Sequence, residues 1–221
     1  MIEQLQNFDA SLLVAINNSY TGWTDVAMWL VSSKWSWSLL VIAMLFTLRD
    51  KSWRESAWFL VLIALTVLIA DQVSSSIIKH AVERLRPTHE PSLSGLVRVV
   101  NDYRGGLYGF VSSHAANTVG VTIVICSTMA SRLLSVTMAL WTALVCYSRI
   151  YLGVHYPGDI AGGLVVGILA AVVVLLAARI VARRYGSPTL PRFNVADSRV
   201  MTASVVATLL IIIVSATVKT I

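Results

Sequence analysis

Ser148–Asp159 reads SRIYLGVHYPGD. An apolar run over 133–152 leads into this stretch, and another over 159–182 leads away from it. Each run is about 20 residues, enough to cross the hydrocarbon core of a bilayer as a helix. Charged side chains at the mouth of such segments are costly, and by default they mark a functional site. Arg149 is always cationic and suits a phosphate or a carboxylate. His155 can be a nucleophile or a proton carrier. Asp159 can hold that imidazole in one tautomer and stabilise its charged form. The stretch points to a phosphate-handling site at a membrane face.

Composition agrees with a membrane setting. The 221-residue chain is 57% hydrophobic and 13% charged, against roughly 25% charged in a soluble domain. Apolar stretches of spanning length recur, which predicts an all-α, polytopic membrane helix bundle. The net charge is +6, but the basic residues sit between apolar segments. They read as topology signals and a site for an anionic head group, so nucleic acid is not an expected partner. Cys126 and Cys146 fall inside apolar runs and read as small core hydrophobes, with no disulfide or zinc pattern. Residues 1–33 hold no Lys or Arg, so no basic signal-peptide region is expected.

Taken in order, residues 1–20 place Leu5, Phe8, Leu12, Leu13 and Ile16 at helical spacing, which predicts an amphipathic helix lying in the interface. About six spans follow: Trp23–Leu48, Ser56–Ile78, 113–131, 133–152, 159–182 and 200–218. The first holds Ser32, Ser33 and Lys34 at its middle and is a candidate for a break. Asp71, Ser75 and Lys79 are four apart on the second and share one helix face, either as an ion pair or with Asp71 in an orienting role. Gly162 and Gly163 permit close helix approach near the site. The connector after the fifth span carries Arg179, Arg183, Arg184, Arg192 and Arg199. The whole chain, 1–221, reads as one domain with a core over about 55–180.

The Lys/Arg bias sets an orientation with the N-terminus outside and 49–54, Arg132 and the late connector inside. The 79–112 and 151–158 loops then share the outer face. Lys79, Arg84, Arg86, Arg98 and Arg104 break the positive-inside rule there, which suggests that they bind an anion.

That face collects KHAVERLRP (Lys79–Pro87), VSSH (Val111–His114) and the opening stretch. Lys79, Arg86 and Arg149 can neutralise a phosphate and the charge that builds on it in the transition state. Ser112 can cap the third span, so that following N–H groups, Ser113 included, point at the anion. Pro157 suits a first helical turn and would place Asp159 beside His155. His155 could then attack phosphorus while His114 protonates the leaving oxygen. Three fixed cations supply the electrostatics, so no metal or other cofactor is expected. His80 and His89 read as loop residues without a catalytic part.

The pattern K-x6-R-P, then a P-S-G-H-like segment, then S-R-x5-H-x3-D resembles the type 2 phosphatidic acid phosphatase (PAP2) superfamily, in its membrane lipid phosphatase branch. Lys79, Arg86 and Pro87 match the first motif, and Ser148, Arg149, His155 and Asp159 match the third. In the second, Ser112 and His114 are kept, Val111 stands where Pro is usual and Ser113 where Gly is usual. The resemblance implies His155 as a nucleophile forming phosphohistidine, Asp159 as its partner, His114 as acid, and Lys79, Arg86, Ser112, Ser113 and Arg149 as phosphate ligands. It implies a phosphorylated lipid as substrate: undecaprenyl diphosphate, phosphatidylglycerol phosphate, phosphatidic acid or lipid A. It also implies a bacterial-type inner membrane with the site on the periplasmic face. Arg98, Asp102, Tyr103 and Arg104 are candidates for shaping head-group choice, or belong to a solvated loop.

Two other readings stay open on the same residues. A phosphohistidine could pass its phosphoryl group to a hydroxyl acceptor, as in a lipid-linked phosphotransferase. A transporter or lipid-binding protein could use the cations to hold an anion without turnover. The sequence leaves the oligomeric state open.

Overall fold

Capping residues divide the chain into helices. The computed structural model describes residues 2–186 and 193–220, so Arg192 of the basic connector lies outside the described residues. Helix α1 is Ile2–Asn17 and α2 is Gly22–Ser32. The Thr21 hydroxyl accepts from the Thr24 N–H while the Thr24 hydroxyl accepts from the Thr21 N–H, closing both ends of a capping box. After a 3-10 turn at Lys34–Trp37 comes α3, Ser38–Thr47. Ser52 and Glu55 form a second capping box at the start of α4, Trp53–Val82. Ser112 and Ser131 cap α5, Ser113–Thr128, and α6, Arg132–Tyr151. Pro157 opens α7, Pro157–Tyr185, which ends at Gly186 in the left-handed region, φ +57°. Helix α8 is Val195–Thr220.

Among the described residues, four helices are long and apolar enough to cross a membrane: α4, α6, α7 and α8. The expected first span is bent by 66° between Gly22–Ser32 and Lys34–Thr47, and the spans number five if that pair counts as one. The break falls at Ser33 and Lys34, polar residues that cannot stay at mid-membrane without a partner. The expected third span is the 16-residue α5, about 24 Å long and shorter than the roughly 30 Å hydrocarbon core. Helix α4 runs past the expected end at Ile78, so Lys79 and His80 are helical rather than in the loop.

Helix α5 is the axis of the bundle, packed by α4, α6 and α7. Helix α8 closes the other side against α2, α3 and α6. Its first turn is pinned by a buried ion pair, Lys51 Nζ to Asp197 Oδ2 at 3.0 Å, which puts the 49–52 turn and the start of α8 at one end. Leu68, Ile168, Leu169, Val173, Ile211 and Val214 stand exposed around the outside. This belt suits lipid rather than water, since every helix satisfies its own backbone internally.

The tightest contact is between α5 and α7. A Cβ on Gly163 would come within 2.4 Å of the Ser112 carbonyl oxygen, and one on Gly167 within 2.1 Å of the Ala116 carbonyl oxygen. The two backbones therefore touch, as small-residue helix pairs do in membranes. Gly167→Ala should force the helices apart and cost about 1–3 kcal/mol. A lower midpoint of thermal unfolding in detergent than wild type is the expected reading.

Candidate active site

The α5–α7 contact brings two distant motifs together. The Ser112 N–H donates to the Asp159 carbonyl at 2.9 Å, and Ser112 is fully buried. Val111 takes the space that Gly162 leaves, where a Cβ would come within 2.5 Å of Val111 Cγ1. The expected early-helix position of Asp159 is observed. Its Oδ2 accepts from the Tyr156 N–H at 3.0 Å and lies 3.3 Å from His155 Nδ1. His155 and Asp159 are 1% and 0% exposed. Nδ1 faces the carboxylate, which leaves Nε2 as the ring nitrogen available for chemistry.

Three cations surround the imidazole. Arg86, Arg149 and Lys79 all lie within electrostatic reach of His155, and burial together with these charges holds its pKa well below the usual value. His114, at the first turn of α5, lies within reach of Arg149, His155, Arg86 and Lys79. Arg86 donates through Nε to the Tyr108 carbonyl at 3.1 Å. Burial and the neighbouring Arg149 charge lower its pKa, yet a guanidinium keeps its proton. Arg149 donates to the Ser32 hydroxyl and, at 3.4 Å, to the Tyr103 hydroxyl. Burial pushes the Tyr103 phenol up, but Arg149 and Arg86 outweigh it and bring it below its ordinary value. Arg86 Nη1 and Arg149 Nε are buried with no hydrogen-bond partner among the described residues. Buried guanidinium nitrogens without partners are costly, and an anion would satisfy them.

Of the two expected roles of Asp71, an ion pair with Lys79 or an orienting one, the hydrogen bonds follow the second. Lys79 Nζ donates to Ser113 Oγ at 2.8 Å, and Ser113 Oγ lies 2.7 Å from Ser75 Oγ. Asp71 Oδ1 accepts from Ser75 and Asn117, each at 3.4 Å. The helix there is a π-helical stretch, Gln72–Ile78, a feature frequent at functional sites. Ser113 therefore uses its side chain to hold Lys79.

The other loop cations are used inside the chain. Arg98 forks onto Asp25 at 2.7 and 2.8 Å, and Arg104 donates to the Thr88 carbonyl at 3.0 Å. Arg84 bridges Asp9 and Asp159 at 2.8 and 3.1 Å. Of the five cations expected to bind an anion, only Lys79 and Arg86 join the cluster; Arg84 and Arg98 are held by carboxylates and Arg104 by the Thr88 carbonyl. Of the head-group candidates, Tyr103 joins it, while Asp102 is exposed. Sequence reasoning missed the bracing role of Asp9 and Arg84 and the arrival of Ser32 and Lys34. The polar break in an apolar run was the one available signal for the last two.

His114 borders two cavities. One, of about 260 Å³, is lined by Trp29, Lys34, Trp35, Tyr103 and Arg149 among others. The other, of about 350 Å³, is mostly apolar and runs between Val31, Trp37, Trp141 and Val145. No group of three or more His, Cys, Asp or Glu side chains suited to a metal ion occurs among the described residues.

Comparisons with known proteins agree with this architecture. Residues 56–183 match the PAP2 superfamily. Lipid A 4'-phosphatases of Bacteroides thetaiotaomicron and Porphyromonas gingivalis are each 37% identical over 169 residues. That alignment covers 76% of this chain and 75% and 72% of those proteins. The crystal structure of a transmembrane PAP2 type phosphatidylglycerolphosphate phosphatase from Bacillus subtilis superposes with a TM-score of 0.60 at 22% identity, over 82% of this chain and 89% of that one. Aquifex aeolicus LpxE gives a TM-score of 0.58 at 22% identity, over 75% and 93%. The fold and the matches define a membrane-embedded phosphatase of the hydrolase class. The chain belongs to the PAP2 superfamily, within its lipid phosphatases.

If Ser113 steers Lys79, then Ser113→Ala should leave the protein folded and raise KM. A hydrogen bond to a charged group contributes about 1.5–3 kcal/mol, so the rise should be about tenfold or more in steady-state phosphate release.

Proposed function

We propose that this phosphatase removes a phosphate group from a lipid A-type glycolipid through a phosphohistidine on His155, without a metal, at the periplasmic face of the inner membrane. One observation carries the reading. A buried His–Asp pair, a second histidine and three cations, two of them guanidinium groups with an unpartnered nitrogen, meet at one end of a membrane bundle. Mere anion binding needs the cations but not an imidazole oriented by a buried carboxylate.

In this mechanism His155 Nε2 attacks phosphorus in line. The N–P bond forms as the P–O bond to the lipid breaks, and His114 gives its proton to the departing oxygen. Lys79, Arg86 and Arg149 stabilise the equatorial oxygens, Ser113 holds Lys79 beside them, and Ser112, buried at the N-cap, orients the first turn of α5. Asp159 stabilises the imidazolium as charge develops. Water, deprotonated by His114, then cleaves the N–P bond and releases phosphate. A hydroxyl acceptor in place of water would give the phosphotransferase reading.

Among the four lipid classes that the motifs suggest, lipid A-type substrates are favoured by the curated relatives, which align over three quarters of this chain. The aromatic cavity beside His114 suits a sugar ring as the leaving group, since Trp and Tyr faces offer apolar area with a polar edge. The apolar cavity on the other side suits an acyl chain. The basic turn at 49–54 lies at the end opposite the site, as an outward-facing site requires.

The decisive assay is phosphate release by purified protein, in EDTA, from a panel of lipid A, undecaprenyl diphosphate, phosphatidylglycerol phosphate and phosphatidic acid. Lipid A should turn over fastest, and His155→Ala should abolish turnover. Equal rates on all four would remove the glycolipid preference, and unchanged turnover in His155→Ala would remove the mechanism.

The pH profile has a definite sign. His155 must be unprotonated to attack, and its pKa is held well below the usual value, which is about 6.5. The acidic limb of kcat/KM should therefore lie below pH 6.5, with activity held as pH falls through that value. A limb centred at or above 6.5 would show a solvated nucleophile instead.

A further inference from the structure

Helix α1 takes no part in the chemistry above, yet it ends one side of a chain of charges that reaches His155. Its two faces differ. Leu13 is buried against Leu93 and Tyr156, and Asn17 donates to the Tyr151 and Arg98 carbonyls at 2.8 and 3.0 Å. Leu5, Phe8 and Leu12, three and four residues apart, stand 64%, 66% and 38% exposed. An apolar face of this kind on a membrane protein seats in the interface plane.

Asp9 lies on the protein side and accepts twice. Its Oδ1 takes the Gly158 N–H at 2.7 Å, in the first turn of α7. Its Oδ2 takes Arg84 Nη2 at 2.8 Å. The other arm of the same guanidinium, Nη1, donates to Asp159 Oδ1 at 3.1 Å. Arg84 also lies over the Tyr156 ring, 3.8 Å from its centroid. The groups Asp9, Arg84, Asp159 and His155 thus form one line in which charges alternate. Arg84 alone would spend its full charge on Asp159 and weaken the support that carboxylate gives an imidazolium. Held between two carboxylates, it fixes Asp159 while sharing its charge.

We propose that Asp9 is a positioning residue for the His155–Asp159 pair, acting through Arg84, and that α1, seated on the bilayer by Leu5, Phe8 and Leu12, holds it in place. The proposal rests on His155 being the nucleophile. Asp9 touches neither substrate nor His155, so its effect is on turnover rather than on binding.

The test compares kcat and KM in lipid–detergent micelles for wild type, Asp9→Asn, Arg84→Met, the double variant and His155→Ala, with thermal unfolding of each alongside. Asn at position 9 keeps an oxygen for the Gly158 N–H but sets an amide N–H where Oδ2 accepts from Arg84, so it removes both the charge and the acceptor of that link. Asp9→Asn should lower kcat about tenfold with KM within about twofold, the scale of one charge-assisted hydrogen bond. The double variant should be no slower than Arg84→Met alone, because both remove the same link. Losses that multiply, a loss that merely follows the folded fraction, or an unchanged kcat would each overturn the proposal. Should Asp9→Asn not fold, Arg84→Lys provides the second measurement. It keeps the charge but loses the fork, and wild-type kcat there would likewise overturn it. Turnover surviving in His155→Ala would instead fail the nucleophile reading itself.

Discussion

A carboxylate with no exposed surface governs the architecture of the site. Asp159 accepts from His155, the Tyr156 N–H and Arg84, and its own backbone carbonyl takes the Ser112 N–H. A buried ionised carboxylate is tolerated only when its lone pairs are met. Meeting them obliges the chain to bring the loop after α4 to the turn between α6 and α7, and the Asp159 backbone carbonyl ties the start of α5 to the same point. The glycine seam between α5 and α7 is the steric counterpart, since no side chain at 163 or 167 would let Ser112 approach.

The cations follow two rules. Arg84, Arg98 and Lys51 each meet a carboxylate, at Asp9 and Asp159, at Asp25, and at Asp197. They hold loops and helix ends together at the membrane surfaces, where partly buried charge pairs are useful. Lys79, Arg86 and Arg149 meet only hydroxyls and carbonyls. No carboxylate among the described residues bonds them directly, although Asp71 and Asp159 lie within electrostatic reach of Lys79 and Asp159 of Arg86; with burial, their charge lowers the His155 pKa and favours an anion between them. Arg104, which meets the Thr88 carbonyl and stays outside the cluster, is the exception to this pairing.

Placement in a bilayer gives the site its two neighbours. The bend at Ser33–Lys34 sets α2 and α3 at 66° and Ser32 accepts from Arg149, so a polar break in an apolar run becomes one wall of the site. From His114, one cavity opens toward aromatic and basic residues, and the other has a mostly apolar surface with Lys34, Asp71, Ser113 and Asn117 among its lining. A head group and a hydrocarbon chain differ in the same way, which is consistent with lipids as the substrates of this family.

Much of this was legible in the sequence. Apolar run lengths determined an all-helical membrane bundle, because a bilayer accepts little else. The spacing of Lys79 and Arg86, of Ser112 and His114, and of Arg149, His155 and Asp159 singled out residues that the fold brings to one end of the bundle, because each motif sits where a helix meets its neighbouring loop. Tertiary structure decided what depends on partners far along the chain. It bent the first span and left α5 shorter than a full crossing. It linked Lys79 to Asp71 through Ser113 and Ser75 rather than directly, and it turned Arg98 and Arg104 to partners within the chain. It also drew Asp9 and Arg84 onto Asp159. Charge pairing between segments some 75 residues apart leaves no periodic trace in a sequence, since it is set by which helix ends meet at one membrane face.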